Sequence, residues 1–246
     1  MTSRDALKWY FTANRPPLLG AIACALALAI PPAYGDGFHR PPDRQVFQRT
    51  ATFPVFLNTD QGTETAAEIV SASEDGRLLI YTDSLTGNLG FVNIADPHAP
   101  KPSGVLDMSG KPTSVTVAGP YALAAVNTSE SFSEPSGKLA VVDIEKRRIV
   151  RRIDLGGQPD SIAVSPDKRY AAITIENERD EEAGDGRPPQ SPPGFVVIVD
   201  LQGAPPEWGT RKVDLVGIPA LFPDDPEPEY VAINDRNIAA VTLQEN

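Results

Sequence analysis

Residues 73–82 read SEDGRLLIYT and residues 165–174 read SPDKRYAAIT, the same ten-residue pattern at an offset of 92 residues. A shorter copy lies between them at residues 115–126, VTVAGPYALAAV, and a fourth copy begins at residues 231–241, VAINDRNIAAV. The underlying spacing is therefore about half of 92 residues. Recurrence of one short segment at such a period indicates a repeat architecture.

Each copy predicts the same order of elements: a short apolar strand, a polar turn, a second apolar strand, a polar loop and a third strand. Val, Ile, Ala and Tyr between turns of Gly, Pro, Asp and Ser are typical of strands. An outer fourth strand follows at residues 149–155 and 212–215, with a weaker one near residues 105–106. Four strands in roughly 46 residues form the blade of a β-propeller. A β-sandwich, the competing all-β fold, does not require one turn to recur in register.

The sequence divides into a predicted signal peptide at residues 1–35, a Pro-rich lead segment at residues 36–60 and β-propeller blades over residues 61–246. The blade boundaries are expected near 66–110, 111–157 and 158–227, with a partial blade at 228–246. About three and a half four-stranded blades form an incomplete ring, which exposes sheet edges. We therefore expect a fragment whose natural chain continues past Asn246, with closure by another chain as the alternative.

The first 35 residues have the features of a secretion signal. An apolar run at residues 18–30 follows three cations, Arg4, Lys8 and Arg15. The triplet at residues 33–35 predicts cleavage before Asp36. The run is shorter than the roughly 20 residues of a membrane span, so an uncleaved anchor is the less favoured alternative, as is lipid attachment at Cys24. The protein is expected to be periplasmic or secreted, with no membrane association after cleavage.

The formal net charge is −11, and Cys24 is the only cysteine. Such a surface repels nucleic acid and favours cations or basic partners. Cleavage after Gly35 leaves no cysteine, which excludes disulfides, thiol catalysis and cysteine metal sites from the mature chain. With His39 and His98 as the only histidines, neither a histidine-based triad nor a zinc site is predicted. No phosphate-binding glycine loop or Gly-x-Ser-x-Gly elbow occurs, so catalytic residues stay unassigned and no organic cofactor is predicted.

Blade topology predicts one acidic face. In an up-and-down four-stranded blade, the loops after the second and fourth strands emerge on the same face. The loops after the second strands carry oxygen-bearing side chains that we predict as metal ligands: Asp83, Asn127, Glu130, Glu176, Asn177, Glu178 and Glu245. Converging carboxylate and amide oxygens suit Ca²⁺, which takes roughly 6 to 8 oxygen ligands. The alternative is that these are ordinary solvated loops.

Six segments carry a family resemblance: residues 67–70, 81–84, 127–132, 157–167, 175–181 and 242–246. They resemble the amino-terminal propeller region of bacterial exported proteins of the esterase-like activity of phytase family, whose members are often labelled alkaline phosphatase-like. The resemblance covers nearly all of residues 50–246, although residues 158–167, QPDSIAVSPD, are shared by many propellers with YVTN-type repeats. In that family the phytase-like region lies further along the chain, so the resemblance implies an activity completed elsewhere.

Two functions are consistent with these observations. The chain is either an exported binding or scaffold propeller with an acidic, calcium-binding face, or the front part of a calcium-dependent phytase-like phosphoesterase. The first is favoured because phosphate needs basic groups, and only Arg179 and Arg187 lie near the acidic loops. The expected ligand is a cation or a small molecule such as a phosphoester at the propeller mouth. The expected macromolecular partners are the remaining blades or a downstream domain.

Overall fold

The computed structural model describes residues 48–59 and 62–246. The predicted signal peptide and most of the lead segment lie outside the described residues. In the first sheet the strands are β1 (Ala67–Ala72), β2 (Leu78–Asp83), β3 (Asn88–Asn93) and β4 (Lys101–Asp107). The second sheet contains β5 (Lys111–Ala118), β6 (Tyr121–Asn127), β7 (Gly137–Asp143) and β8 (Arg148–Asp154). The third contains β9 (Pro159–Val164), β10 (Tyr170–Ile175), β11 (Phe195–Asp200) and β12 (Thr210–Asp214).

The fourth sheet is a hairpin of β13 (Pro228–Ile233) and β14 (Ala239–Leu243). Within each sheet, strands that follow one another in the chain pair antiparallel, so each sheet is a simple meander. The first strands of successive sheets lie side by side, with β5 against β1 and β9, and β13 against β9. Sheets that meet through their first strands surround a common axis. The predicted all-β architecture, three propeller blades and half of a fourth, is confirmed.

The recurring ten-residue pattern is a turn that closes on its own side chains. Ser73 and Ser165 each donate an Oγ hydrogen bond of 2.6 Å to the Asp two residues later, Asp75 and Asp167. The same carboxylates accept the amide hydrogen of the residue two positions further on, at 3.1 Å in both turns. The tightest position has a positive φ, 66° at Gly76 and 58° at Lys168. Because these bonds join residues close together in the chain, the same residue types recur in each turn and the repeat can be recognised from the sequence.

Hydrophobic cores lie between the blades. Blades 1 and 2 enclose one core around Ile80, Phe91 and Val142, whereas the core of blades 2 and 3 includes Leu139 and Ile173. The third core joins blade 3 to the hairpin through side chains such as Ala172, Val196 and Val231. Full burial of one large apolar side chain contributes roughly 1.5–3 kcal/mol, so each blade is stable mainly because its neighbours cover it.

The lead segment is pinned to the first blade by one side chain. A short 3₁₀ helix at Val55–Asn58 ends at Asn58, whose Nδ2 donates to the hydroxyl of Tyr81 at 3.0 Å and to the carbonyl of Phe91 at 2.9 Å. Its Oδ1 accepts from the amides of Ser103 and Gly104 in β4, at 2.9 and 3.2 Å. Part of the outward face of blade 1 is therefore covered by residues that precede the blades.

The first strand of every sheet contains a β-bulge close to its start. In blades 1, 3 and 4 two residues of the first strand stand opposite one threonine of the second strand: Thr82, Thr174 or Thr242. Each threonine hydroxyl accepts the amide hydrogen that the bulge leaves unpaired. These bonds run from Ile69 at 3.1 Å, from Ser161 at 2.9 Å and from Tyr230 at 3.1 Å. Unpaired buried amides are costly, so the threonines stabilise the bulges.

Thr174 also joins two blades, because its hydroxyl donates to the carbonyl of Glu229 in β13 at 3.0 Å. It is fully buried. We expect Thr174→Val to lower the free energy of unfolding by about 2 kcal/mol, since the amide of Ser161 and the carbonyl of Glu229 both lose a partner. Urea denaturation measures the change. Thr116→Val, at a partly exposed position of β5, is the control, and an equal loss in both variants would contradict this role.

Candidate functional site

The bulges bring equivalent positions of the first strands to one end of the axis. These positions are Glu68 in β1, Thr113 in β5, Asp160 in β9 and Glu229 in β13, each the residue at which the regular pairing shifts. Three of the four are carboxylates. A bulge leaves its extra residue outside the ladder and reorients its side chain. Blades 1, 3 and 4 therefore repeat an acidic position beside the axis, and blade 2 has Thr113 there.

Two further carboxylates, Glu176 and Glu178, join these residues from the loop that follows β10. The amide of Glu176 donates to the carbonyl of Gln158 at 2.9 Å, which holds the start of this loop against the start of β9. The Gln158 side chain donates to Oε2 of Glu178 at 3.0 Å. We call Glu68, Asp160, Glu176, Glu178 and Glu229 the axial acid cluster.

Burial and mutual repulsion raise the pKa values in the cluster. Burial is the main cause that raises the pKa of Glu176 to about 8, and the charges of Asp160, Glu229 and Glu178 add to it. Burial also raises the pKa of Asp160 to about 6, with contributions from Glu229, Glu178 and Glu68. No basic side chain contributes to either pKa among the described residues. The negative charges of the cluster are therefore not balanced by a basic side chain among the described residues.

Glu176 and Glu229 meet across the interface between blades 3 and 4. The carboxylate of Glu229 is one of the neighbours that raise the pKa of Glu176, so the protonated form of Glu176 is favoured beside it. Oε2 of Glu229 is buried and accepts no hydrogen bond from an amide or hydroxyl of the described residues. A proton or another cation between the two groups relieves their repulsion.

The seven predicted ligands have different surroundings, and Glu176 and Glu178 are the two that belong to the axial acid cluster. Asp83 is buried, and its Oδ1 accepts from the amides of Ala66 at 2.9 Å and Thr86 at 3.3 Å. Oδ1 of Asn127 accepts from the amide of Ser129 at 2.8 Å, while Glu130 and Glu245 are exposed. Metal ligation by these four residues stays a prediction.

Asn177 stabilises the start of the loop after β10. Its φ is 53°, its Oδ1 accepts from the amide of Gln158 at 2.9 Å, and its Nδ2 donates to the carbonyl of Pro193 at 3.1 Å. Asparagine tolerates left-handed backbone because its short amide bonds locally. Asn177 thus shapes the loop that carries Glu176 and Glu178, and its metal ligation stays a prediction.

Glu68, Asp160 and Glu229 are not among the ligands that the sequence predicts. A usable signal existed, because Pro112-Thr113, Pro159-Asp160 and Pro228-Glu229 recur at or next to the start of the first strand. The bulge that removes these residues from the ladder has no strong sequence mark, so the sequence does not place their side chains beside the axis.

Within residues 48–59 and 62–246, no three His, Cys, Asp or Glu side chains are arranged to hold a metal ion. Ca²⁺ also takes amide and carbonyl oxygens and binds in flexible geometry. Its binding at the cluster therefore requires some of these oxygens to converge further.

A buried ion network begins at Arg179, the residue that follows Glu178 in the chain. Arg179 Nε binds Oδ2 of Asp225 at 3.0 Å, its Nη2 donates to the carbonyl of Asp225 at 2.8 Å, and its Nη1 forms an ion pair with Glu227. All three side chains are buried. Asn246 completes the network by accepting from the amide of Glu227 at 2.8 Å. Arg179 is therefore committed to Asp225 and Glu227 and does not neutralise the cluster.

We expect Arg179→Met to lower the free energy of unfolding by about 3–5 kcal/mol, because it leaves Asp225 and Glu227 buried without their counter-ion. Chemical denaturation provides the measurement. Arg187→Met is the matched control, since Arg187 is exposed in the same loop. A loss below about 1 kcal/mol for Arg179→Met would show that the network is not a buried ion pair.

The raised pKa of Glu176 predicts a pH dependence of stability. The folded state holds this proton up to about pH 8, whereas the unfolded side chain releases it near pH 4.5. Stability therefore falls as pH rises through this window, and the loss is complete above it. We expect Glu176→Gln to reduce the fall of the thermal midpoint between about pH 5 and pH 9, with exposed Glu182→Gln as the control. Identical pH profiles for wild type and Glu176→Gln would refute the assignment.

The fold and this site define a β-propeller module whose axial mouth is lined by carboxylates. The chain belongs to the choice-of-anchor I domain family, whose model matches residues 68–246. This membership supports a β-propeller module at the cell surface or outside the cell. The narrower resemblance to the esterase-like activity of phytase family is not confirmed by it. No helix long and apolar enough to cross a membrane occurs in the part of the chain that the structure describes.

Two solved structures resemble the chain weakly. Hydrazine synthase from Kuenenia stuttgartiensis is 14% identical with a TM-score of 0.43, over 70% of this chain and 59% of that one. A catalytically inactive virginiamycin B lyase from Staphylococcus aureus, with quinupristin, is 13% identical with a TM-score of 0.49, over 74% of this chain and 50% of that one. The chain thus spans between half and three fifths of the length of these two proteins. No match was found among the curated proteins.

Proposed function

We propose that the chain is an exported binding module that binds a hard cation at its axial acid cluster, with Ca²⁺ as the first candidate. The observation that carries this proposal is the convergence of carboxylates from three blades without a basic side chain among the charges that act on them. Residues 1–35 supply the proposed secretion signal.

Three features support a cation as the ligand. The carboxylate of Glu229 contributes to the raised pKa of Glu176, so a positive charge between the two groups is favourable. Bulges set the backbone positions of Asp160 and Glu229, and the turn of Asn177 shapes the loop that carries Glu176 and Glu178. The formal charge of −11 attracts cations toward the whole molecule.

Phosphoester chemistry is the less favoured alternative. A phosphate group needs basic side chains or a bound metal to receive its charge. Arg179, the basic residue closest in sequence to the acidic loop, is buried and paired with Asp225 and Glu227. The resemblance to the phytase-like family therefore implies an activity that needs a bound cation here or groups outside the described residues.

Calcium should raise the thermal midpoint of the full chain relative to the chelated protein. At roughly 100 times the dissociation constant, binding contributes about 2.7 kcal/mol, which corresponds to a shift of about 5 °C or more. We expect Asp160→Asn and Glu176→Gln to reduce the shift, because each removes a carboxylate charge from the cluster.

Glu181→Gln is the matched control, since Glu181 is exposed in the loop after β10 and outside the cluster. Equal midpoints with calcium and with chelator, under conditions where the folded protein is verified by circular dichroism, would overturn calcium binding. Calcium-dependent hydrolysis of a generic phosphomonoester by the full chain, lost in Glu176→Gln, would instead favour the phosphoesterase.

A further inference from the structure

Among the described residues, the loops that connect strands expose large apolar side chains on one face of the propeller only. Leu85 lies in the loop after β2, Phe132 in the loop after β6, and four more such residues in the loop between β12 and β13. Each of these side chains is between 41% and 61% exposed. We call this set the apolar rim: Leu85, Phe132, Val216, Ile218, Leu221 and Phe222.

The apolar rim lies on the same face as the axial acid cluster. Loops after second strands and loops after fourth strands emerge together, and Glu176 and Glu178 of the cluster lie in the loop after β10. The turns of the opposite face, such as residues 73–77 and 165–169, expose no large apolar side chain in the described part of the chain. Single exposed apolar residues are common on any surface, so their restriction to one face is the informative feature.

Backbone hydrogen bonds order the loops that carry the apolar rim. The amide of Thr128 donates to the carbonyl of Ser136 at 3.0 Å and closes the loop that contains Phe132. In the loop after β12, the amide of Gly217 donates to the carbonyl of Pro223 at 2.7 Å. A loop that is ordered before binding loses less conformational entropy when a partner covers it. The apolar side chains are therefore presented in a form suited to contact with another molecule.

The acidic centre of this face determines the chemistry of the partner. No basic side chain of the described residues contributes to the pKa values of Asp160 and Glu176. The loops of the apolar rim add the exposed carboxylates of Glu130, Glu134 and Asp224. Such a centre repels an anionic lipid surface and attracts a cationic side chain. A polypeptide segment supplies a cation and apolar side chains together, and Arg and aromatic residues are enriched in protein interfaces.

We propose that this face binds a polypeptide segment of another protein in which Arg or Lys is flanked by apolar side chains. The cationic side chain lies against the axial acid cluster, and its apolar neighbours pack on the apolar rim. This binding shares the cluster with the proposed function, but it needs no bound metal.

Fluorescence anisotropy of a labelled peptide with the full chain, in the presence of a chelator, tests the proposal. The probe is the peptide Gly-Leu-Phe-Arg-Gly-Arg-Phe-Leu-Gly. Its control has citrulline in place of both Arg residues, which keeps the shape of the side chains and removes their charge. We expect the Arg peptide to bind at least about tenfold more tightly than the citrulline peptide, because the carboxylates lose their cationic partner.

Two variants of the apolar rim test the contribution of its side chains. We expect Phe132→Ser and Leu221→Ser each to weaken binding of the Arg peptide at least about threefold, since each removes apolar surface from the contact. Val105→Ser is the matched control, because Val105 is 41% exposed in β4 and lies outside the rim. Circular dichroism verifies that each variant folds. The comparison of the two peptides uses the wild-type chain, so it remains decisive where a variant does not fold.

Equal affinity for the two peptides, or no binding of the Arg peptide at millimolar concentration, would overturn the proposal. So would an equal loss in Val105→Ser and Leu221→Ser. Rim-dependent binding to vesicles of phosphatidylcholine and phosphatidylglycerol, without peptide binding, would assign the rim to a lipid surface instead. Peptide binding with no calcium shift of the thermal midpoint would reject the cation and keep the binding surface, and a calcium shift without peptide binding would do the reverse.

Discussion

The bulge in each first strand is the constraint on which the rest of the molecule depends. A regular strand beside the axis would alternate its side chains between the two neighbouring blades, and none would be left for the axis. Two residues opposite one threonine change this pattern at one point in blades 1, 3 and 4. The threonine hydroxyl stabilises the irregularity, since it replaces the ladder bond that the second bulge residue has lost.

The bulges also bring carboxylates close together in the axial acid cluster, and few basic side chains lie near enough to neutralise them. Asp160 and Glu229 are held by backbone, so they cannot separate as carboxylates on long loops would. Arg179 follows Glu178 directly, yet it turns into the protein and pairs with Asp225 and Glu227. This arrangement stabilises the loop and leaves the axial acid cluster uncompensated by basic side chains among the described residues. Protonation of Glu176, whose pKa burial and the neighbouring carboxylates raise to about 8, is the response available to the chain itself.

The blades were predictable because their signals are local. Asp75 and Asp167 close their turns through bonds to residues within two positions, so the same letters recur wherever the turn recurs. The sequence also placed Glu176 and Glu178 on the acidic face, because the loop after the second strand of a blade always emerges on the same face. Asp160 and Glu229 were not predicted as ligands, because their position beside the axis depends on pairing with threonines 13 residues away or more. Asn177 shapes the turn of this loop, and amide oxygens that shape a turn and amide oxygens that bind a metal have the same sequence appearance.

Blade 2 lacks both the threonine of the second strand and the carboxylate of the bulge. Ala125 stands where the other blades have threonine, and Thr113 stands where they have a carboxylate. In blade 2 the hydroxyl belongs to the bulge residue and not to the second strand. Thr113 Oγ1 donates to the carbonyls of Ala125 at 3.4 Å and Pro159 at 3.0 Å. The bond to Pro159 in the next blade parallels the bond from Thr174 to Glu229. Blade 2 therefore keeps the connection between blades but gives up the acidic position, which makes the axial acid cluster asymmetric and centred on blades 3 and 4.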